Sequence, residues 1–156
     1  MVKISLLSVA LAISTFLTIT TAVSTAPPFR LIVNPTGYTG STLYLLANGN
    51  TTTDFYSAAE CWVSPTSQLF CGDFNNAVGI PSGQNSSVLA ACIASGSTTC
   101  TTGGWNIVQN STPTISLTWP GYAFSYDTGS QTAYAVVSGS NAPDTAAVPA
   151  TLVCGF

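Results

Sequence analysis

The sequence predicts an all-β domain, an antiparallel sandwich or barrel of about nine to eleven short strands stapled by disulfides. Three observations predict it. Short apolar, β-branched and aromatic runs recur at near-regular spacing, each interrupted by Gly, Pro, Asn, Asp or Ser. No stretch carries a convincing amphipathic helical period, and no fixed-length repeat occurs. Five cysteines, at 61, 71, 92, 100 and 154, follow a leader-like N-terminus, and in an exported chain cysteines read first as disulfides.

The leader comes first. Lys3 precedes an uncharged apolar run over 4–13, which continues more patchily through Phe16, Leu17 and Ile19. Thr20-Thr21-Ala22 places small side chains where a signal peptidase needs them. Cleavage is expected after Ala22, because a cut after Ala26 would put Pro27 at the attacked bond. A transmembrane anchor is the competing reading, and Ser14, Thr15, Thr18, Thr20 and Thr21 interrupt the span too often for it. The expected organisation is a signal peptide over 1–22 and one β-domain over 23–156. That domain, 134 of the 156 residues, is large enough to bury a core. It is expected to be secreted, extracellular or wall-associated, with no membrane contact once the leader is removed.

Taken in order, residues 29–33 are β-branched and aromatic, and Asn34-Pro35-Thr36-Gly37 ends them. A second strand over 43–46 closes at Asn48-Gly49-Asn50, a strong turn signal. Residues 54–56 are a third candidate. Runs 60–63 and 68–71 flank Ser64-Pro65-Thr66-Ser67 and read as a hairpin, with Cys61 and Cys71 facing each other. Residues 73–85 are loop-like. Residues 88–94 fit either a short helix capped by Ser87 or a buried strand. Runs 105–109 and 114–118 alternate as half-buried strands. The best hairpin joins 122–126 to 131–137 through Asp127-Thr128-Gly129-Ser130, a turn expected to hold Gly129 in a left-handed conformation. A long loop over 138–149 precedes the last strand, 151–154.

The short cysteine spacings make Cys61–Cys71 and Cys92–Cys100 the simplest pairing, leaving Cys154 as a buried thiol; pairing of Cys154 upstream, or between chains, stays open. Three glycosylation sequons begin at Asn50, Asn85 and Asn110. Each lies in a polar, turn-like stretch, where acceptor loops belong.

Composition excludes more than it assigns. Beyond the leader, one base, Arg30, faces five acids: Asp54, Glu60, Asp73, Asp127 and Asp144. One arginine does not neutralise a run of phosphates, so neither nucleic acid nor an anionic lipid surface is an expected partner. There is no histidine, which removes the common zinc sites and every Ser-His or Cys-His catalytic pair. No cofactor is expected, and no metal. A glycosidase needs two flanking carboxyls, and Glu60 with Asp54 or Asp73 is the clustered candidate set. Asp127-Thr128-Gly129-Ser130 resembles the active-site motif of aspartic proteases, whose chemistry requires a second such aspartate; no second motif occurs, and a hairpin turn explains these four residues. The expectation is no enzyme.

The aromatics are the remaining lead. Trp62, Trp105, Trp119 and Tyr122 are the candidate ligand-binding residues, because a flat ring suits the apolar face of a pyranose. Trp119, in the break Trp119-Pro120-Gly121, is expected to be the most exposed. The leader, the sequons, the few cysteines, the abundant Ser and Thr and the 4% charge together resemble the small secreted proteins of filamentous fungi, some wall-associated and some effectors acting on a host. Ser125-Tyr126-Asp127 and the terminal Cys-Gly also resemble the cerato-platanin group, where that segment lies near the mature N-terminus instead, which sets the group aside. The resemblance implies a non-enzymatic secreted protein. Its expected partner is cell-wall polysaccharide or, as the alternative, a host or other extracellular protein.

Overall fold

The structure, a computed structural model, describes residues 27–93, 99–109, 114–143 and 146–156. The expected leader and its cleavage site, the sequon asparagine Asn110 and the carboxylate of Asp144 lie outside the described residues. The spine is an antiparallel pair at the two ends of the described chain, β1 (Phe29–Pro35) and β13 (Val148–Gly155). Period-two alternation sets their faces: Phe29, Leu31, Val33, Ala150, Leu152 and Cys154 point inward and are buried.

Each spine strand shares its second edge between two partners, and this makes the sheet curl in two directions. β1 pairs with β2 (Leu43–Leu45) at Ile32 and Val33, and with β4 (Glu60–Val63) at Phe29 and Arg30. β13 pairs with β11 (Tyr122–Asp127) through Val148, Pro149 and Ala150, and with β10 (Ile115–Thr118) through Leu152 and Val153. On one side β3 (Thr51–Thr52) extends β2, and β12 (Thr132–Val137) extends β11. These two ends meet. Thr51 N–H donates to the Gln131 carbonyl and Ala133 N–H to the Gly49 carbonyl, both at 2.9 Å, around a bridge between Asn50 and Thr132. The circuit β3–β2–β1–β13–β11–β12 is thereby closed into a barrel, which removes two open strand edges.

On the other side β5 (Leu69–Cys71) extends β4, and β9 (Asn106–Gln109) extends β10. Trp105 N–H donates to the Ser67 carbonyl at 3.0 Å and ties these two hairpins together. β7 (Ser86–Val88) lines the far edge of β12, and β6 (Ile80–Pro81) with β8 (Cys100–Thr101) forms a separate small ladder. Leu31, Leu45, Leu69, Leu89, Leu117 and Leu152 are almost completely buried between these walls. Each contributes roughly 1.5–3 kcal/mol by leaving water.

The all-β class, both expected hairpins and both expected disulfides, Cys61–Cys71 and Cys92–Cys100, are present. Four readings are corrected. Residues 54–56 are not a strand: Asp54 accepts from Tyr56 N–H (3.0 Å) and Ser57 Oγ (2.6 Å) and caps a 3₁₀ turn, Phe55–Ser57. Of 88–94, Val88 ends β7 and the described remainder has irregular backbone. The last strand begins at Val148, within the expected loop, because β11 offers a partner edge there. The Asp127 turn has its left-handed residue at Gln131 (φ 55°), not at Gly129. Cys154 stays unpaired and buried, opposite Leu31.

Candidate functional site: an outward aromatic stack

β4 and β5 pair Cys61 with Cys71 and Trp62 with Phe70. The cysteines face inward, so alternation sends Trp62 and Phe70 outward together. Their rings lie nearly parallel, 5.0 Å apart at 7°. Phe74 stacks on the same indole at 4.8 Å and 23°, and it is 73% exposed. The loop that presents Phe74 is held from within. Asp73 accepts from the N–H groups of Asn75 (2.8 Å) and Asn76 (3.2 Å), and from Asn76 Nδ2 (3.0 Å). The Asn76 side chain, then the Asn75 backbone, hold the Asp73 carboxyl below its usual range.

The same sheet face continues across β1. Glu60 lies one alternation from Trp62, and its carboxylate is 3.7 Å from the Arg30 guanidinium. That guanidinium also sits over the Phe55 ring at 5.6 Å. Phe55 in turn meets Tyr44 and Tyr56 edge-on, with Tyr56 90% exposed. The outward strip thus runs from three stacked rings, across an ion pair, to three edge-packed rings.

The four aromatics expected to bind do not come together at the surface. Trp62 is in the outward stack. Trp105 is 1% exposed and Trp119 3%, and they stack on each other at 4.5 Å inside the core. Phe124 extends that stack from Trp105 and half-buried Tyr122 extends it from Trp119. The expected exposure of Trp119 is therefore corrected. The turn does exist, with Tyr122 N–H donating to the Trp119 carbonyl at 3.0 Å and Gly121 at φ 85°. The ring nevertheless points inward, because Trp119 continues the alternation of Leu117, and its indole N–H is satisfied by the Gly103 carbonyl at 2.7 Å. Phe70, Phe74, Phe55 and Tyr56 were missed. The signal for Phe70 was available, since facing cysteines in the 60–71 hairpin place Trp62 and Phe70 side by side on the other face.

Of the sequons, Asn85 is exposed. Asn50 is half-buried in the barrel seam, its side-chain carbonyl accepting from Thr132 Oγ1 at 3.0 Å. The Asp127 carboxylate is filled by its own turn: Ser130 Oγ (2.5 Å), Gly129 N–H (2.8 Å) and Ser130 N–H (3.2 Å). Ser130, then Gly129, keep it ionised to lower pH than usual. Asp54 is likewise lowered, by Ser57 first and the Tyr56 N–H second. Glu60 faces Arg30 rather than a second carboxyl. Among the described residues no three His, Cys, Asp or Glu groups gather as metal ligands, and no helix is long and apolar enough to cross a membrane.

No family model, curated protein or solved structure matches this chain.

Proposed function

We propose that this chain is a secreted, non-enzymatic protein that binds cell-wall polysaccharide through the stack of Trp62, Phe70 and Phe74. One observation carries the reading: Phe74 is a largely exposed phenyl ring that is held in place instead of folded away. An exposed ring costs solvation, and a fixed one loses little further entropy when a ligand covers it. Its flat apolar face suits the C–H face of a sugar, while Asn75 and Asn76 supply side-chain amides from the same loop. The aspartates support the non-enzymatic part, because each described one spends its oxygens on its own turn.

The experiment is retention on insoluble chitin, β-glucan and cellulose, with Phe74→Ala as the variant. Loss of one stacked ring is worth about 1–1.5 kcal/mol, roughly tenfold in affinity. Retention on none of the polymers, or equal retention of Phe74→Ala, contradicts the proposal. A second reading, an effector-type module that docks on another protein, is favoured by the Tyr44–Phe55–Tyr56 cluster beside Arg30. Aromatics with arginine are the composition of interface hot spots. Capture of a host protein that fails with Tyr56→Ala but survives Phe74→Ala would select it.

A further inference from the structure

One mouth of the closed barrel opens into a cleft of about 320 Å³, between the β1–β2 loop and the β11–β12 turn. This is at the small end of the roughly 300–1,000 Å³ typical of ligand clefts. Its floor is made by two buried hydroxyls, Thr51 Oγ1 and Tyr126 Oη, 3.0 Å apart. Thr51 Oγ1 also lies 3.3 Å from the Gln131 main-chain carbonyl, a second acceptor within its reach. Either hydroxyl can donate to the other, so the floor presents a polar group that can accept or donate.

The walls add Tyr38, Thr53, Thr128 and Gln131. Among the described residues their side-chain polar groups bond to nothing in the protein. No charged side chain lines the cleft. The neighbouring carboxylate, Asp127, has both oxygens occupied by the turn. Tyr38 and Leu43 supply apolar wall, and the Tyr38 ring lies directly over Gly40: a Cβ there would run into the Tyr38 hydroxyl oxygen and Cζ.

A charged ligand would be desolvated here without a counter-charge, and a purely apolar one would strand the floor and wall hydroxyls. A small, neutral, hydroxyl-rich ring meets neither penalty. We propose that the barrel-mouth cleft binds one neutral sugar residue, end-on, at a site distinct from the aromatic stack. The choice of sugar over other polyols rests on the polysaccharide reading above; the cleft and its polarity do not.

The test is an amide NMR titration of the full secreted chain with the methyl glycosides of glucose, galactose, mannose and N-acetylglucosamine, and with glucuronate as the charged control. The expected result is saturable shifts at residues 38, 51, 126 and 128 with at least one neutral glycoside, and none with glucuronate. Gly40→Ala, which displaces Tyr38, and Thr128→Val, on the exposed turn, should each weaken that binding at least tenfold. Phe74→Ala should leave it unchanged. Thr128→Val keeps the test decisive if Gly40→Ala does not fold. The proposal is overturned by absence of saturable shifts at the cleft, by unweakened binding in Thr128→Val, or by equal loss in Phe74→Ala. Polymer retention that depends on Phe74 with an empty cleft overturns this proposal alone. A filled cleft without polymer retention supports it and removes the stack reading.

Discussion

Three aspartates and a cysteine carry the displaced pKa values of the described residues. Asp54, Asp73 and Asp127 share one local geometry, a carboxylate accepting the N–H two residues ahead. Ser57, Asn76 and Ser130 respectively add the side-chain bond that lowers each one most. The resemblance of Asp127-Thr128-Gly129-Ser130 to a protease motif is thus accounted for by an acidic side chain closing a turn. Cys154 is governed by burial, which pushes its thiol from 9.0 up to about 11. Thiolate is the reactive form, so a thiol reagent at pH 8 should find no reactive sulfur in the native protein and one per chain in guanidinium. A fast-reacting native thiol, or a dimer lost on reduction, would show that Cys154 is accessible.

At the scale of elements, the hairpins 60–71 and 122–137 were legible because alternation and turn residues agree within a few positions. The turn chemistry was read less well. The analogy with common bulges predicts the left-handed residue at Gly129, yet the four-residue loop places that conformation at Gln131. The glycine on which the barrel seam depends is Gly49, at φ 85°. A Cβ added there would lie 2.0 Å from Val88 Cγ1 and 3.4 Å from the Leu89 backbone. Gly49→Ala should therefore cost about 2–4 kcal/mol, from left-handed backbone and overpacking together. Gly129→Ala should cost much less, since its added Cβ meets only Asp127 Oδ1 at 3.3 Å. Urea titration of both variants checks the order; equal losses would mean the seam tolerates rearrangement.

For the whole molecule, the pH response follows from these groups together. The three aspartates have folded pKa values below the unfolded value, so they contribute stability above about pH 4 and lose it as pH falls through the folded values. Cys154 is raised, so its contribution is complete below its unfolded pKa near 9 and is lost as pH climbs toward about 11. No histidine titrates between these windows. The melting temperature should be nearly flat from pH 4 to 8 and decline on both sides, as read by scanning calorimetry. A drop of more than about 10 °C between pH 7 and 5, several kcal/mol for a domain of this size, would reveal a coupled ionisable site and reopen the enzymatic reading.

By itself the sequence determined the all-β class and the two hairpins, and it made Cys61–Cys71 with Cys92–Cys100 the simplest pairing while leaving Cys154 open, because period-two alternation, turn residues and short loop closure act within about ten residues. The register of a single hairpin also carries the placement of Trp62 and Phe70 on one face, a consequence not drawn for Phe70 from the sequence. Only the tertiary structure decided the rest. The sharing of β1 and β13 between two sets of partners, the seam from Gly49 to Ala133, and the early start of β13 at Val148 are pairings between residues far apart in the chain. The exposure of each aromatic depends on those pairings too. Trp105 and Trp119 are inside because two distant hairpins close over them, and Phe74 is outside because nothing in the described chain closes over it. A ring's chemistry is written in the residue, but its solvent exposure is set by what the rest of the chain brings against it.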